Sequence, residues 1–291
     1  MKYIRILWSY ICGLLYMVWM SILPKKPLAS LEKNAHPHVV VTLTSYGRRV
    51  GTTVIHVLKS LLLQSRRPDR IILWLDNVNF SPEKIPAKLA RFCSKYGIEI
   101  RFCDDIRSYK KLVPALLLCP DDILVTVDDD LVYKRGFLKS LCDAHEKTPA
   151  DILCTLAHCP ETKDGEFLPY KMWKQNVTRM GDRPLFPLGG AGTLYPPKSL
   201  HEDVVNKELF MKLAPQADDI WFWAMAVMAG TRHRLIDFGY SFYQIDLLYQ
   251  KLHKNSSLMS SNLHKDCNDV QIMNIMGHYC ELYNKWSSAC R

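Results

Sequence analysis

Three consecutive carboxylates, Asp128, Asp129 and Asp130, follow directly after an apolar run over 123–127. Adjacent carboxylates repel one another, and they stay ionised most easily when a cation lies between them. Mg²⁺ and Mn²⁺ prefer oxygen ligands and are commonly held by one or two carboxylates together with substrate phosphates. The run therefore predicts a site for a divalent cation and a diphosphate. The alternative is a solvated acidic turn.

A second pair of carboxylates, Asp218 and Asp219, begins the apolar run over 218–229. Carboxylates are favoured at the start of a helix as caps and by the helix dipole, which is the structural explanation for the pair. The catalytic explanation is that one of them acts as a general base. Lys110 and Lys111 precede another helical stretch, and either one could bind a diphosphate as a point charge. A solvated pair of lysines is the alternative.

The elements that must position these residues alternate along the chain. Apolar strands are predicted at 39–43, 70–75, 98–103, 123–127 and 152–157, and amphipathic helices at 50–64, 85–96, 109–118 and 136–147. Such alternation predicts an α/β fold with a doubly wound, mostly parallel, Rossmann-like sheet and helices on both faces. Open sheets of this kind bind ligands at the carboxyl ends of their strands, where the three aspartates stand.

The composition is that of an ordinary globular protein, with 48% hydrophobic and 23% charged residues and a formal net charge of +9. The positive charge predicts an anionic partner, either a sugar nucleotide or an anionic membrane surface. Nucleic acid is disfavoured, because the basic residues are not arranged in a stripe with aromatic residues. The ten cysteines form no C-x-x-C pair. They indicate reduced thiols in a reducing compartment.

The amino-terminal segment differs in character from the rest. Residues 6–23 carry no formal charge, whereas Lys2 and Arg5 precede them and Lys25 and Lys26 follow. As a helix these residues would extend about 27 Å, just short of the hydrocarbon core of a bilayer. Three interpretations of this segment are possible: a transmembrane anchor, a helix lying in the membrane interface, or a helix packed on the protein. We favour membrane association.

These patterns divide the chain into four parts. They are a membrane-associated segment over 1–24, a linker over 25–38, an α/β domain over 39–250 and a polar tail over 251–291. The tail is predicted to contain one helix near 269–283.

Six motifs in this order resemble the GT-A class of nucleotide-sugar glycosyltransferases. They are TLTSYGRR at 42–49, SYKKLVPAL at 108–116, TVDDD at 126–130, GGAGTLYPP at 189–197, ADDIW at 217–221 and NDVQ at 268–271. The chain is similar in particular to bacterial enzymes of polysaccharide and lipopolysaccharide assembly. The resemblance implies a GT-A fold and a DxD-type metal site in which Asp128 and Asp130 hold Mn²⁺ or Mg²⁺, with His264 as a possible further ligand. It also implies that the α/β domain over 39–250 is a catalytic domain, with a nucleotide-sugar half over 39–131 and an acceptor half over 132–250.

The resemblance also implies roles for residues around this metal site. Asp219 would be the base of an inverting reaction, and Asp218 would cap the helix or bind the acceptor. The implied donor-binding and sugar-binding residues are Thr44, Ser45, Tyr46, Arg48, Lys110, Lys111, Asp128, Asp129, Gly189, Gly190 and Trp221. The glycines would let backbone amides approach the sugar closely, since glycine has no side chain.

The expected activity is metal-dependent transfer of a sugar from a nucleotide-sugar donor to a lipid-linked or cell-surface glycan, at the cytoplasmic face of a bacterial inner membrane. One alternative is a catalytically inert sugar-nucleotide-binding scaffold, which would not need a base. Another is a sugar nucleotidyltransferase, which would need a Gly-rich basic loop after the first strand. Only the short GRRVG stretch at 47–51 stands there.

Overall fold

A computed structural model of the protein describes residues 2–29, 37–177, 185–239, 241–245 and 267–288, with side chains from residue 11 onward. Its α-helices are α1 (Lys2–Ile22), α2 (Val54–Leu62), α3 (Ala87–Tyr96), α4 (Val113–Leu118), α5 (Phe137–His145), α6 (Lys207–Leu213), α7 (Asp218–Met228), α8 (Cys267–His278) and α9 (Leu282–Ser288).

The strands are short. They are β1 (Val39–Thr44), β2 (Arg70–Asp76), β3 (Glu99–Cys103), β4 (Ile123–Thr126), β5 (Leu131–Tyr133), β6 (Ile152–Cys154), β7 (Ala157–Cys159), β8 (Thr162–Lys163), β9 (Glu166–Phe167), β10 (Lys174–Val177), β11 (Phe186–Pro187), β12 (Thr193–Tyr195), β13 (His233–Leu235) and β14 (Phe242–Gln244).

The main sheet of the described residues has seven strands in the order β13-β6-β12-β4-β1-β2-β3. Strands β4, β1, β2 and β3 are parallel, and β13 is parallel to β6. Strand β12 runs antiparallel between β4 and β6. A parallel sheet is covered on both faces, which explains why its strands are continuous apolar runs. The predicted α/β fold with a mostly parallel sheet is confirmed.

Side chains alternate between the two faces of the sheet and enter two separate cores. Val41 and Leu43 of β1 pack with α2, α3 and α5. Their neighbour Val40 belongs to the opposite core, which contains residues of α4, α6, α7, α8 and α9. Successive residues of a strand point to opposite faces, so one apolar strand serves both cores. The two layers of helices leave the carboxyl edge of the parallel strands as the place for a site.

Helix α1 packs against β14 and α2 along one side. The Tyr16 hydroxyl donates a hydrogen bond to the carbonyl of Tyr133, and Met20 is fully buried. Within the described ranges, no helix combines the length and the apolar character needed to cross a membrane. The contacts of Tyr16 and Met20 show that one side of this helix packs on the protein, which was one of the three possibilities for the segment.

Helices α8 and α9 lie in the part of the chain predicted to be a polar tail with one helix. Ile272 and Ile275 of α8 and Leu282 and Trp286 of α9 are buried in the same core as the side chains of α7. The prediction of a helix there is correct, but two helices form, and both pack on α7. Residues 246–266 lie outside the described residues.

This packing predicts that α8 stabilises the fold. Ile275→Ala removes a side chain that is 1% exposed, and we expect the free energy of unfolding to fall by about 2–5 kcal/mol because a cavity remains. The matched control is Met273→Ala on the same helix, because Met273 is exposed. Urea unfolding of both variants measures the difference. Equal stabilities would contradict the packing described here.

Candidate active site

The topology of the sheet brings three chain segments to one edge. Asp128 follows β4, and Ser45 follows the parallel neighbour β1. Because β12 is antiparallel to β4, with Thr193 opposite Thr126, the glycines that precede β12 lie at the end where β4 stops. Helix α7 begins at the same place, as the contacts of Asp219 show below. The strand β4 ends at Thr126, so the three aspartates lie on a turn rather than on an alternating strand.

The ammonium group of Lys111 joins the two groups of carboxylates. Its Nζ lies 3.2 Å from Asp128 Oδ1, 3.0 Å from Asp218 Oδ2 and 4.0 Å from Asp219 Oδ1. Burial by itself would lower the pKa of Lys111, but the three carboxylates outweigh it and hold that pKa well above the usual value. Lys111 is therefore a buried cation that stays charged at every physiological pH.

A second cation, Arg49, compensates the other two aspartates of the turn. Its Nη1 lies 2.8 Å from Asp129 Oδ1, and its Nη2 lies 3.1 Å from Asp130 Oδ2. The Ser45 hydroxyl also donates to Asp129, with a 2.5 Å separation of the oxygens. Burial raises the pKa of Asp129 above its ordinary value, although Arg49 and Ser45 oppose that shift. The carboxylate cluster is thus held together by cations of the chain itself.

Two glycines allow the backbone to lie directly against the carboxylates. A Cβ at Gly190 would be 1.8 Å from Asp128 Oδ2, and one at Gly189 would be 2.7 Å from Asp219 Oδ1. The amide of Gly189 donates to Asp219 Oδ1 at 3.2 Å. The buried hydroxyl of Tyr133 accepts a hydrogen bond from the Asp128 amide at 2.8 Å and donates to the Gly190 carbonyl. No residue with a side chain fits at either glycine unless the carboxylates move.

Asp219 is the carboxylate with the most unusual ionisation. Desolvation by the surrounding protein raises its pKa, Lys111 lowers it, and the neighbouring charges of Asp218 and Asp128 raise it further, to about 7. Its side chain remains 28% exposed, whereas the Asp218 side chain is 11% exposed and closer to Lys111. Asp219 can therefore exchange a proton with a bound molecule near neutral pH, while Asp218 mainly neutralises Lys111.

The accessible groups on the Asp128 side of the cluster, away from Asp219, suit a nucleobase and a phosphate. The Asp128 side chain is 41% exposed, whereas those of Asp129 and Asp130 are 6% and 12% exposed. Tyr46 is exposed, and the Arg49 guanidinium lies 5.9 Å from the centre of its ring. Thr44 donates its hydroxyl to the carbonyl of Trp74, so it orients the end of β1.

Most of the residues predicted for the site do converge. The structure places together Ser45, Lys111, Asp128, Asp129, Asp130, Gly189, Gly190, Asp218 and Asp219. Lys110 lies beside this group but is buried, 2.5 Å from Asp105 and 3.9 Å from Asp76. Arg48 is exposed after β1. The individual roles assigned to these residues stay predictions.

One predicted sugar-binding residue is corrected and another is not described. Trp221 is fully buried in the core, where its indole nitrogen donates to the carbonyl of Val204. It therefore cannot provide an exposed surface for a sugar ring. His264, the possible additional metal ligand, lies outside the described residues.

Arg49 and Tyr133 also belong to the site, although their positions in the sequence did not predict it. Arg48 and Arg49 are adjacent in the segment that follows β1. The sequence indicated that an arginine of this segment belongs to the site, but it did not indicate which of the two contacts the aspartates. Tyr133 is fully buried, and its hydroxyl lies between Asp128 and Gly190. No spacing rule marks such a residue, because its role depends on the approach of β12 to the turn.

Carboxylates at the carboxyl edge of a mostly parallel sheet lie where such folds bind their ligands. The family model described as "Glycosyl transferase family 2" matches residues 40–202, which is more than half of the chain. The chain belongs to glycosyl transferase family 2. This membership confirms the family resemblance inferred from the motifs. No curated protein sequence matches the chain.

Solved structures of similar fold include crystal structures of Staphylococcus aureus (S. aureus) TarS. The TarS fragment 1–349 in complex with UDP has 12% identity and a TM-score of 0.47, covering 71% of this chain and 60% of that chain. The same fragment without that ligand has 13% identity and a TM-score of 0.48, covering 84% and 73%. A CMP:2-keto-3-deoxy-manno-octonic acid synthetase complexed with CTP has 10% identity and a TM-score of 0.44, covering 76% and 98%. Likenesses this distant add nothing to the family assignment.

The close approach at Gly190 generates a prediction. Gly190→Ala must displace the Asp128 carboxylate, and we expect transferase activity to fall about 100-fold, since a misplacement of about 1 Å can have that effect. The control is Gly277→Ala, because a Cβ at Gly277 meets nothing within 4 Å. Activity assays on both folded variants measure the effect. A Gly190→Ala enzyme with normal activity would show that this contact does not position the site.

Proposed function

We propose that the chain transfers a sugar from a nucleotide-sugar donor to a hydroxyl of a glycan or lipid-linked glycan, with Asp219 as the general base of an inverting reaction. The observation that carries this proposal is the arrangement of Asp219 and Asp128 around Lys111, 4.0 Å and 3.2 Å from its ammonium. In this arrangement Asp219, whose pKa is about 7, shares the same ammonium with the more exposed Asp128 at the edge of the sheet.

Asp219 has the properties that a base for this reaction needs. An acceptor hydroxyl is a weak nucleophile and attacks well only when its proton is removed as the new bond forms. With a pKa of about 7, Asp219 is deprotonated in a large fraction of molecules at neutral pH and is still basic enough to accept the proton. Attack of the acceptor oxygen on the anomeric carbon forms the glycosidic bond, while the bond to the diphosphate breaks and its electron pair leaves with the diphosphate.

The donor would lie on the side of Tyr46, Arg49 and Asp128. The exposed Tyr46 ring can stack on a nucleoside base. Arg49 is paired with Asp129 and Asp130 at the same edge, so a diphosphate that approaches meets a guanidinium already held in place. Positively charged groups fixed where negative charge develops stabilise the transition state.

The residues present also fit a divalent cation that binds together with the donor. In the part of the chain that the structure describes, no group of three or more His, Cys, Asp or Glu residues could hold a metal ion. Asp128 and Asp130 nevertheless offer oxygen ligands two residues apart, and Mg²⁺ is often bound by one or two carboxylates plus substrate phosphates. Mn²⁺ or Mg²⁺ held this way would neutralise charge on the departing diphosphate. Asp130 would then exchange part of its pairing with Arg49 for the metal.

We also propose that the acceptor is a lipid-linked or cell-surface glycan and that the enzyme acts at the cytoplasmic face of a bacterial inner membrane. The net charge of +9 and the apolar amino-terminal helix support this placement. An inert scaffold and a nucleotidyltransferase are disfavoured, since the chain belongs to a family of transferases and carries a carboxylate in the position of a base.

Replacing the proposed base tests the reaction. Asp219→Asn keeps the size of the side chain but cannot accept the proton, and we expect the transfer rate to fall about 10²–10⁴-fold. Binding of the donor, measured by isothermal titration calorimetry, should be nearly unchanged. Asp143→Asn, the same change at an exposed site on α5, is the control. Transfer by Asp219→Asn at the normal rate would rule out Asp219 as the base.

The pH profile provides an independent test. Asp219 acts only when deprotonated, so kcat/KM should increase as pH rises toward about 7 and should level off above that value. Initial rates measured from pH 5 to pH 9 at a fixed ionic strength give the profile. A rate that is constant across this range, or that decreases as the pH rises through 7, contradicts the assignment.

A further inference from the structure

Helix α1 carries a continuous apolar surface on the side that faces away from the domain. Six side chains form it, with exposed fractions from 37% to 77%, and we call this surface the α1 apolar face: Ile11, Leu14, Leu15, Val18, Trp19 and Ile22. At 3.6 residues per turn these positions share one side of the helix. A helix on the surface of a globular protein normally shows polar residues on its outer side, so this face differs from an ordinary surface helix.

The orientation of this face is set by packing on the opposite side of α1. Met20 is fully buried, and the Tyr16 hydroxyl donates to the carbonyl of Tyr133. At Gly13 a Cβ would lie 3.2 Å from the Cβ of Tyr243, so the backbone of α1 lies close to β14. The α1 apolar face is therefore presented outward by a helix that is attached to the catalytic domain.

The charges around α1 are all of one sign. Within the first 31 residues the sequence contains Lys2, Arg5, Lys25 and Lys26 and no Asp or Glu. Lys25 donates to the carbonyls of Met20 and Leu23 at the end of the helix, and Lys26 is exposed beside it. An apolar surface with cations before and after it is the pattern of helices that lie in a membrane interface with anionic lipids.

We propose that the α1 apolar face docks the catalytic domain on a membrane surface that contains anionic lipids. The helix would lie parallel to the bilayer plane, with its apolar side chains between the lipid headgroups and with the lysines against the lipid phosphates. The residues 11–22 extend about 17 Å along the helix, so the contact is shallow and does not cross the bilayer.

A second copy of the chain fits this face less well. Both ends of α1 are cationic, so pairing of the face with itself places like charges together whether the two helices run parallel or antiparallel. Like charges at such short distances repel. An anionic lipid surface, in contrast, complements both ends at once.

Docking would also fix the place of the active site relative to the membrane. Tyr16 contacts the backbone of Tyr133, and the hydroxyl of Tyr133 accepts a hydrogen bond from the Asp128 amide. The donor side of the site is thus one residue away from the helix that touches the lipid. This consequence for a lipid-linked acceptor rests on the proposed function, whereas lipid binding is measured without any turnover.

Cosedimentation of the full-length protein with vesicles tests the proposal. The protein should bind vesicles of phosphatidylcholine with phosphatidylglycerol more tightly than vesicles of phosphatidylcholine alone. The double variant Leu15→Glu/Val18→Glu should weaken the binding at least about tenfold, because two apolar side chains no longer enter the interface. Lys26→Gln should weaken binding to the anionic vesicles about fivefold and leave binding to the neutral ones unchanged.

The matched control is Leu117→Glu, since Leu117 on α4 is also an exposed leucine far from α1 in the sequence. Thermal unfolding of each variant shows whether it is folded. An assay of the nucleoside diphosphate released from the nucleotide-sugar donor separates loss of docking from loss of the reaction. Absence of binding to anionic vesicles, or equal binding by the double variant, would overturn the proposal. So would light scattering that shows a dimer for the unchanged protein and a monomer for the double variant alone. The last result would identify the face as a contact between two copies.

Discussion

The buried ammonium of Lys111 is the interaction on which the geometry of the site depends. It lies between Asp128 at the end of β4 and Asp218 and Asp219 at the start of α7, and these segments are far apart in the sequence. Removing one partner from a buried group of charges leaves the others uncompensated, which is strongly destabilising. Lys111 therefore sets the separation between the turn after β4 and the start of α7.

The same arrangement explains why the pKa of Asp219 is raised. Asp218 lies closest to Lys111, and Asp129 receives both Arg49 and a serine hydroxyl. Asp219 is farther from Lys111, at 4.0 Å, and its pKa rises to about 7. Burial and the neighbouring charges of Asp218 and Asp128 thus outweigh the opposing charge of Lys111 at Asp219.

The sequence predicted what depends on local pattern. The apolar runs predicted the strands, and the motif resemblance implied that Asp128 and Asp219 belong to one site. It could not predict what depends on the approach of distant segments. Trp221 is in the core because α7 is apolar around most of its circumference and packs on α8 and α9. Likewise, Lys111 and Arg49 turn inward because of carboxylates supplied by other segments.

The most direct test of this account is binding of nucleotide sugars, measured by thermal shift with and without Mn²⁺. UDP-, GDP-, CMP- and dTDP-sugars should be compared on the unchanged protein and on Asp128→Asn. A ligand at about 100 times its Kd stabilises the folded state by about 2.7 kcal/mol, a shift of several degrees. The account predicts that one nucleotide class raises Tm and that Asp128→Asn greatly reduces this shift. It is contradicted if no nucleotide sugar stabilises the folded protein, or if Asp128→Asn responds as the unchanged protein does.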